Sequence, residues 1–144
     1  MIPADGRLLG VDWGEKRIGL ALSDPSQTIA QPLAVLTRRP GRRFPMQQLR
    51  RLLETHHPVG IVVGLPLAPG GDEGPAAQAA REMGTLIGEK TRLPVTYWDE
   101  RFTTARVLGA VSEMGGRARE RPGDVDRLSA TVLLQSFLDS RRNK

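Results

Sequence analysis

The chain predicts an α/β fold, a mixed five-stranded sheet flanked by helices in the order β-β-β-α-β-α-β-α-α. Three observations carry that expectation. Three short apolar segments separated by turn residues come first, at Leu8–Val11, Ile18–Leu22 and, more loosely, Pro32–Leu36, the pattern of a β-meander. A continuous apolar run, GIVVGL at Gly60–Leu65, has the character of a strand buried on both faces of a sheet. Segments with helical spacing then alternate with the later strands, which makes those strands parallel.

The elements follow in order. Leu8, Leu9 and Val11 supply strand-forming bulk and lead to Asp12, where a strand end is expected. Gly14 with Glu15 and Lys16 turns the chain, and Arg17 to Ser23 runs back. From Arg42 to His56, Phe44, Leu49, Leu52 and Leu53 fall at helical spacing, giving an amphipathic helix with an arginine-rich outer side that Pro58 ends. After Gly60–Leu65, the Pro/Gly-rich stretch Pro66–Pro75 reads as a loop, Ala76–Thr91 as a helix and Pro94–Trp98 as a strand. A third helix is expected at Phe102–Met114, capped by Thr103 or Thr104. Gly115–Pro122 reads as a basic loop, and Asp124–Arg141 as the last helix. No internal repeat or linker interrupts the 144 residues, so one domain over 1–144 is expected.

Composition narrows the chemistry. Hydrophobic residues make up 39% of the chain, enough for one substantial core. No apolar run approaches the length of a membrane-spanning helix, and the N-terminus MIPADGR lacks the features of a signal peptide, so a cytoplasmic protein without membrane association is expected. The absence of cysteine excludes disulfides, thiolate metal sites and a cysteine nucleophile. Net charge is +5, and only Lys16, Lys90 and Lys144 among the 21 basic residues are lysines. Arginine's planar fork suits phosphate. Arg38, Arg39, Arg42, Arg43, Arg50 and Arg51 share a window without acids, and Arg117, Arg119 and Arg121 crowd another. Clustered positive charge of this kind is the footprint of a nucleic-acid binder, although a solvated basic face gives the same pattern.

Three carboxylates are candidates for one site. Ligands of open α/β sheets collect beyond the carboxyl ends of the strands, where Asp12 and the pair Asp99-Glu100 fall. Period-two alternation groups Thr96, Trp98 and Glu100 on one face and Val95, Tyr97 and Asp99 on the other. Only one of the two acids can therefore share a face with Asp12; Glu100 is favoured and Asp99 is the fallback. In the last helix, positions 126, 130, 133, 134 and 137 read Asp, Ala, Leu, Leu, Phe, which sets Asp126 on the apolar stripe. Asp124, expected just before the helix, is the natural cap. Asp12, Glu100 and Asp126 together would make an oxygen-rich pocket for one or two Mg²⁺ or Mn²⁺ ions, able to activate water against a phosphodiester. His56 and His57 end a helix and are read as surface residues or partners of the helix dipole rather than ligands.

These residues bear a family resemblance. Four blocks in order, LGVDWGEKRIGLALSD, VVGLPL with the later GDEGPAAQ, DERFTT and DRLSATVLLQSFLD, resemble the RuvX/YqgF family of ribonuclease H-like Holliday-junction resolvases, also described as pre-16S rRNA nucleases. The resemblance implies a ribonuclease H-like fold and a metal-dependent endonuclease site. Asp12 matches its first-strand acid, Glu100 the acid of the DER block and Asp126 that of the last helix. Arg101 and Thr104 match polar residues suited to phosphate contact, and Gly64 and Pro66 match the turn closing the fourth strand. With Arg17, Arg38, Arg39, Arg42, Arg43, Arg117 and Arg119, they make the expected nucleic-acid-binding set. Trp13 stands where a smaller residue is common, suited either to stacking on a base or to packing, and Ser129 replaces a common alanine.

Structured RNA and branched DNA are both expected substrates, with processing of the pre-16S rRNA 5′ end set beside resolution of four-way junctions. A resolvase needs two sites related by a two-fold axis, hence a homodimer. Two other classes share parts of the pattern. An actin-like ATPase uses a similar strand-Asp-Gly hairpin but normally duplicates the domain, and a non-catalytic binding module would keep the basic surface and use the acids structurally.

Overall fold

Side-chain alternation along the first strand explains the layered architecture. The computed structural model describes residues 2–14, 16–38, 44–100 and 122–142, with side chains of the last stretch from Leu128 onward. The sheet holds β1 (Leu8–Trp13), β2 (Arg17–Ser23), β3 (Ala30–Thr37), β4 (Gly60–Leu65) and β5 (Val95–Asp99). Their order is β3-β2-β1-β4-β5, with β1 antiparallel to β2, β2 antiparallel to β3, and β1, β4 and β5 parallel. The mixed sheet expected from the sequence is therefore present. Opposite Pro32, which has no N–H to give, the β2–β3 register shifts between Leu20 and Ala21, a bulge that absorbs one residue.

Each face of the sheet has its own apolar layer. Leu9, Val11, Ile18, Leu20, Ile61, Val63 and Leu65 meet α1 (Met46–His56) and α2 (Pro75–Thr91) through Leu49, Ala77, Ala80, Met83 and Ile87. On the other side Leu8, Ala21 and Val62 pack under α3 (Pro122–Arg142) through Ala130, Leu134, Phe137 and Leu138. Every residue of β4 is buried, as its unbroken apolar run requires.

Two helix starts differ from the sequence expectation by two residues or more. Helix α1 starts at Met46 rather than Arg42: Phe44 and Pro45 are not helical, because a proline disfavours helical conformation in the residue before it. The helix closes on His57, whose left-handed backbone (φ 51°) lets its N–H reach the Leu53 carbonyl at 2.8 Å ahead of Pro58. Helix α3 starts at Pro122, a residue that suits the first turn because its missing N–H would have no partner there. Asp124 is thus inside the first turn rather than just before the helix. The third expected helix, Phe102–Met114, lies outside the described residues, as does nearly all of the Gly115–Pro122 loop.

The direction of α3 is set by polar anchors along its length. At its C-terminal end, Arg141 Nη1 donates to the Gln27 Oε1 at 3.1 Å and the Pro3 carbonyl at 3.3 Å. One to two turns earlier, Gln135 takes the Ala30 N–H at 2.9 Å and gives a hydrogen bond to the Thr28 carbonyl at 2.9 Å. Trp98 Nε1 donates to Ser136 Oγ at 3.1 Å. The C-terminal end of α3 therefore lies beside the N-terminal segment, and its N-terminal half runs toward the carboxyl ends of β1 and β4. Among the described residues, no helix is long and apolar enough to cross a membrane.

Candidate active site

Asp12 is the fifth residue of the six-residue β1, half-buried and inside the strand rather than beyond it. Strand alternation puts it on the α3 side, with Leu8 and Gly10. Its neighbours on that face are glycines. Gly19 is its partner across β2. The parallel register, in which Val11 faces Val63, brings Gly64 alongside when continued by one residue. Gly10, two residues back, lies under α3: a Cβ there would stand 2.9 Å from Leu134 Cβ and 3.4 Å from the Ala130 carbonyl. The strands' own side chains are thereby absent from this face around Asp12, and α3 packs close over Gly10.

Glu100 directly follows β5 and places Oε1 over Gly64, 2.6 Å from where a Cβ would stand, with Leu133 Cδ2 beside it at 2.7 Å. Gly64 lies within β4, not in the turn after it, and its missing side chain makes room for the Glu100 carboxylate and Leu133. Asp99 has the opposite orientation. It pairs with Leu65, whose side chain belongs to the α1/α2 layer. The structure thus brings Asp12 and Glu100 to one face on either side of Gly64.

The backbone of Asp126 is helical, one turn before Ala130, which packs on Gly10. Its side chain lies outside those described, so the full set of three acids is not seen together. Among the described residues there is no group of three His, Cys, Asp or Glu that could hold a metal ion. The two carboxylates that are described are hard oxygen donors, the chemistry that a divalent cation takes. His57 caps α1 through its backbone, away from these acids.

Of the expected nucleic-acid-binding residues, Arg17 and Arg38 are described. Arg39, Arg42, Arg43, Arg101, Thr104, Arg117 and Arg119 lie outside the described residues. Arg17 opens β2 two residues before Gly19, hence on the Asp12 face. Arg38 follows β3 and closes over the hairpin. Its guanidinium carbon lies 3.9 Å from the centre of the Trp13 ring, Nη1 donates to the Gly14 carbonyl at 2.9 Å, and its backbone N–H donates to the Lys16 carbonyl at 2.8 Å. Trp13 also stacks on Phe44, with centroids 6.2 Å apart and planes 15° from parallel. Of the two uses expected for Trp13, packing is the one its neighbours show. Ser129 is exposed, so its hydroxyl disturbs no packing.

Sequence reasoning missed the Trp13–Arg38 stack and the glycine frame around Asp12. The stack joins residues distant in sequence, and no local pattern marks it. The frame was visible in part: Gly10 and Gly19 fall on the Asp12 face once the hairpin register is drawn.

Comparison with known proteins agrees with this architecture. The solved structure titled T. thermophilus RuvC in complex with Holliday junction substrate superposes with a TM-score of 0.63, covering 96% of this chain and 97% of that one at 14% identity. The Fowlpox virus resolvase in complex with substrate Holliday junction DNA gives 0.59, with 94% and 98% covered at 12% identity. These likenesses identify the fold as that of ribonuclease H-like resolvases. Among curated proteins, the Koribacter versatilis protein named "Putative pre-16S rRNA nuclease" is 40% identical over 94% of this chain and 88% of its own length. A Clostridium botulinum protein of the same name is 38% identical over 92% and 96%. The family model described as RuvX, Holliday junction resolvase, matches residues 6–140. With that span and those relatives, the chain belongs to the RuvX family.

Proposed function

We propose that this chain is a divalent-metal-dependent endonuclease that hydrolyses phosphodiester bonds in structured RNA, acting in the cytoplasm at the 5′ end of pre-16S rRNA as one domain over residues 1–144. The observation that carries the reading is the Glu100 carboxylate seated over Gly64, on the face and at the strand end that Asp12 occupies. Two carboxylates brought to one face of the sheet, with room left for Glu100 at Gly64, are hard oxygen donors of the kind a divalent cation takes. The names of the relatives support the choice of an rRNA precursor as substrate.

Asp12 and Glu100, joined by Asp126, would hold the metal through carboxylate oxygens. When bound, one or two Mg²⁺ or Mn²⁺ ions activate a water and stabilise the leaving oxygen of the phosphodiester. The chain's own part is to fix those oxygens on rigid strand ends and to bring the substrate phosphate to them. Arg17, on the Asp12 face, and Arg38, which follows β3 at the hairpin, would supply the fork-shaped donors that phosphate prefers. Arg101, Thr104 and the arginines at 39, 42, 43, 117 and 119 complete the proposed contact set.

Cleavage of a precursor rRNA fragment with Mn²⁺, set against an Asp12→Asn control, tests the reading. Cleavage by the native chain and its loss in the control are expected; equal activity in the two overturns the site. The description of the matching family favours a second reading, resolution of Holliday junctions, which would need a homodimer. A four-way junction in the same assay separates them: paired, symmetric cuts in opposing strands support resolution, and cleavage confined to the RNA supports processing.

A further inference from the structure

We propose that Trp98 is a positioning residue for the metal-binding carboxylates: its indole pins the end of β5 to α3 and so fixes where Glu100 stands relative to the helix that carries Asp126. This rests on the nuclease reading and adds to it the contact that keeps two of its acids in register.

Strand β5 and helix α3 are matched at two successive levels, both on the sheet face that carries Asp12. At the first, Trp98 Nε1 donates to Ser136 Oγ at 3.1 Å, and the indole meets Phe137 edge-on with ring centroids 5.6 Å apart. At the second, two residues further along the chain, Glu100 Oε1 and Leu133 Cδ2 meet over Gly64. The spacings agree, since two extended residues advance about 6.6 Å and three to four helical residues about 4.5–6 Å. Trp98 is also the cross-strand partner of Gly64, so the indole and the carboxylate rise from adjoining positions on one face. Asp126 lies two helical turns ahead of Leu133 on the same helix. A slide or tilt of α3 against β5 therefore moves Asp126 relative to Glu100. Apolar contacts such as Leu133 and Phe137 resist separation but have no preferred direction. The indole hydrogen bond weakens steeply when misaligned and supplies that direction. Ser136 is 7% exposed, so little water competes for its hydroxyl. A divalent cation, Mg²⁺ above all, accepts little error in the placing of its oxygen ligands.

The test uses the full chain and reads three quantities: Mn²⁺ binding by calorimetry without RNA, cleavage of a precursor rRNA fragment against Mn²⁺ concentration, and thermal melting without metal. Trp98→Phe keeps a ring against Phe137 and removes the N–H, while Ser136→Ala removes the acceptor from the other side. Each is expected to weaken Mn²⁺ binding on the order of tenfold, the lower end of the scale for groups that orient a metal ligand. The Mn²⁺ concentration for half-maximal cleavage should rise by the same factor, with kcat recovering at saturating Mn²⁺ and KM for the RNA unchanged. The double variant should bind Mn²⁺ no more weakly than the weaker single variant, because both changes break one contact. Should Trp98→Phe fail to fold, Ser136→Ala gives the same answer. Lowered melting temperatures with native Mn²⁺ affinity would show a role in folding alone and overturn the proposal, as would additive losses of affinity in the double variant. A native chain that neither binds Mn²⁺ nor cleaves would instead overturn the nuclease reading, and this proposal with it.

Discussion

Glu100 Oε1 occupies the space that a Cβ on Gly64 would claim, 2.6 Å from that point, and Leu133 Cδ2 crowds the same point at 2.7 Å. Leu133 is buried and has little room to yield. Gly64→Ala should therefore displace the glutamate carboxylate as well as strain the packing. Overpacking of this kind costs about 1–3 kcal/mol. Thermal melting should show that loss, and calorimetry with Mn²⁺ should show weakened binding. Native melting together with native Mn²⁺ affinity would contradict the assignment of this space to Glu100.

Adjacent acids should behave differently. Glu100→Gln removes a charge that faces the Asp12 side of the sheet, whereas Asp99 shares the face of Leu65 and the α1/α2 layer. Loss of a metal-binding carboxylate should lower cleavage on the order of a hundredfold or more, the scale on which groups acting at a developing charge contribute. Asp99→Asn should retain most of the activity. The reverse order of effects in single-turnover assays would exchange the two roles.

That contrast was legible before the structure because strand periodicity is local: alternation alone separates Glu100 from Asp99. Strand β4 was equally plain, its six apolar residues matching burial on both faces. Boundaries governed by proline were less so. Pro45 delays α1 and Pro122 advances the start of α3, moving Asp124 from a cap into the first turn. The purpose of Gly64 was hidden because the residue that fills its space lies 36 positions along the chain, on β5's end. The Trp13–Arg38 stack was hidden for the same reason, being a contact across the hairpin and β3.

Asp24 should make the fold sensitive to acid. Its carboxylate accepts the Ile29 N–H at 3.0 Å, the Ser26 hydroxyl and the Thr28 N–H at 2.8 Å, and these donors pull its pKa down to about 2. An unfolded chain holds an aspartate near about 3.9. The folded state thus favours the ionised form: the stabilisation is complete above that value and is lost as pH falls toward about 2. The group is close to solvent, so the contribution is discounted to about 1 kcal/mol. Asp24→Asn should lower stability to urea by about that amount at neutral pH and flatten the decline between about pH 4 and pH 2. An unchanged acid limb in the variant would assign the decline to other carboxylates.

Gly10 is where the last helix comes closest to β1, with Leu134 Cβ 2.9 Å and the Ala130 carbonyl 3.4 Å from the position of an added Cβ. Both contacts belong to the helix that carries Asp126 one turn before Ala130. The far end of that helix is tethered by Arg141 to Gln27 and Pro3, so the strain of Gly10→Ala should lift the N-terminal half preferentially. The expected result is a loss of about 1–3 kcal/mol in stability and a fall in metal-dependent cleavage larger than that loss explains at a temperature where the variant remains folded. Gly60 provides the comparison, since an added Cβ there meets Ile2 Cδ1 at 2.9 Å and Leu8 Cδ2 at 3.2 Å, with no atom of α3 among its nearest contacts. Gly60→Ala should therefore keep its cleavage rate per folded molecule. Equal loss of rate in the two variants would disconnect the seating of α3 on Gly10 from the chemistry at Asp12.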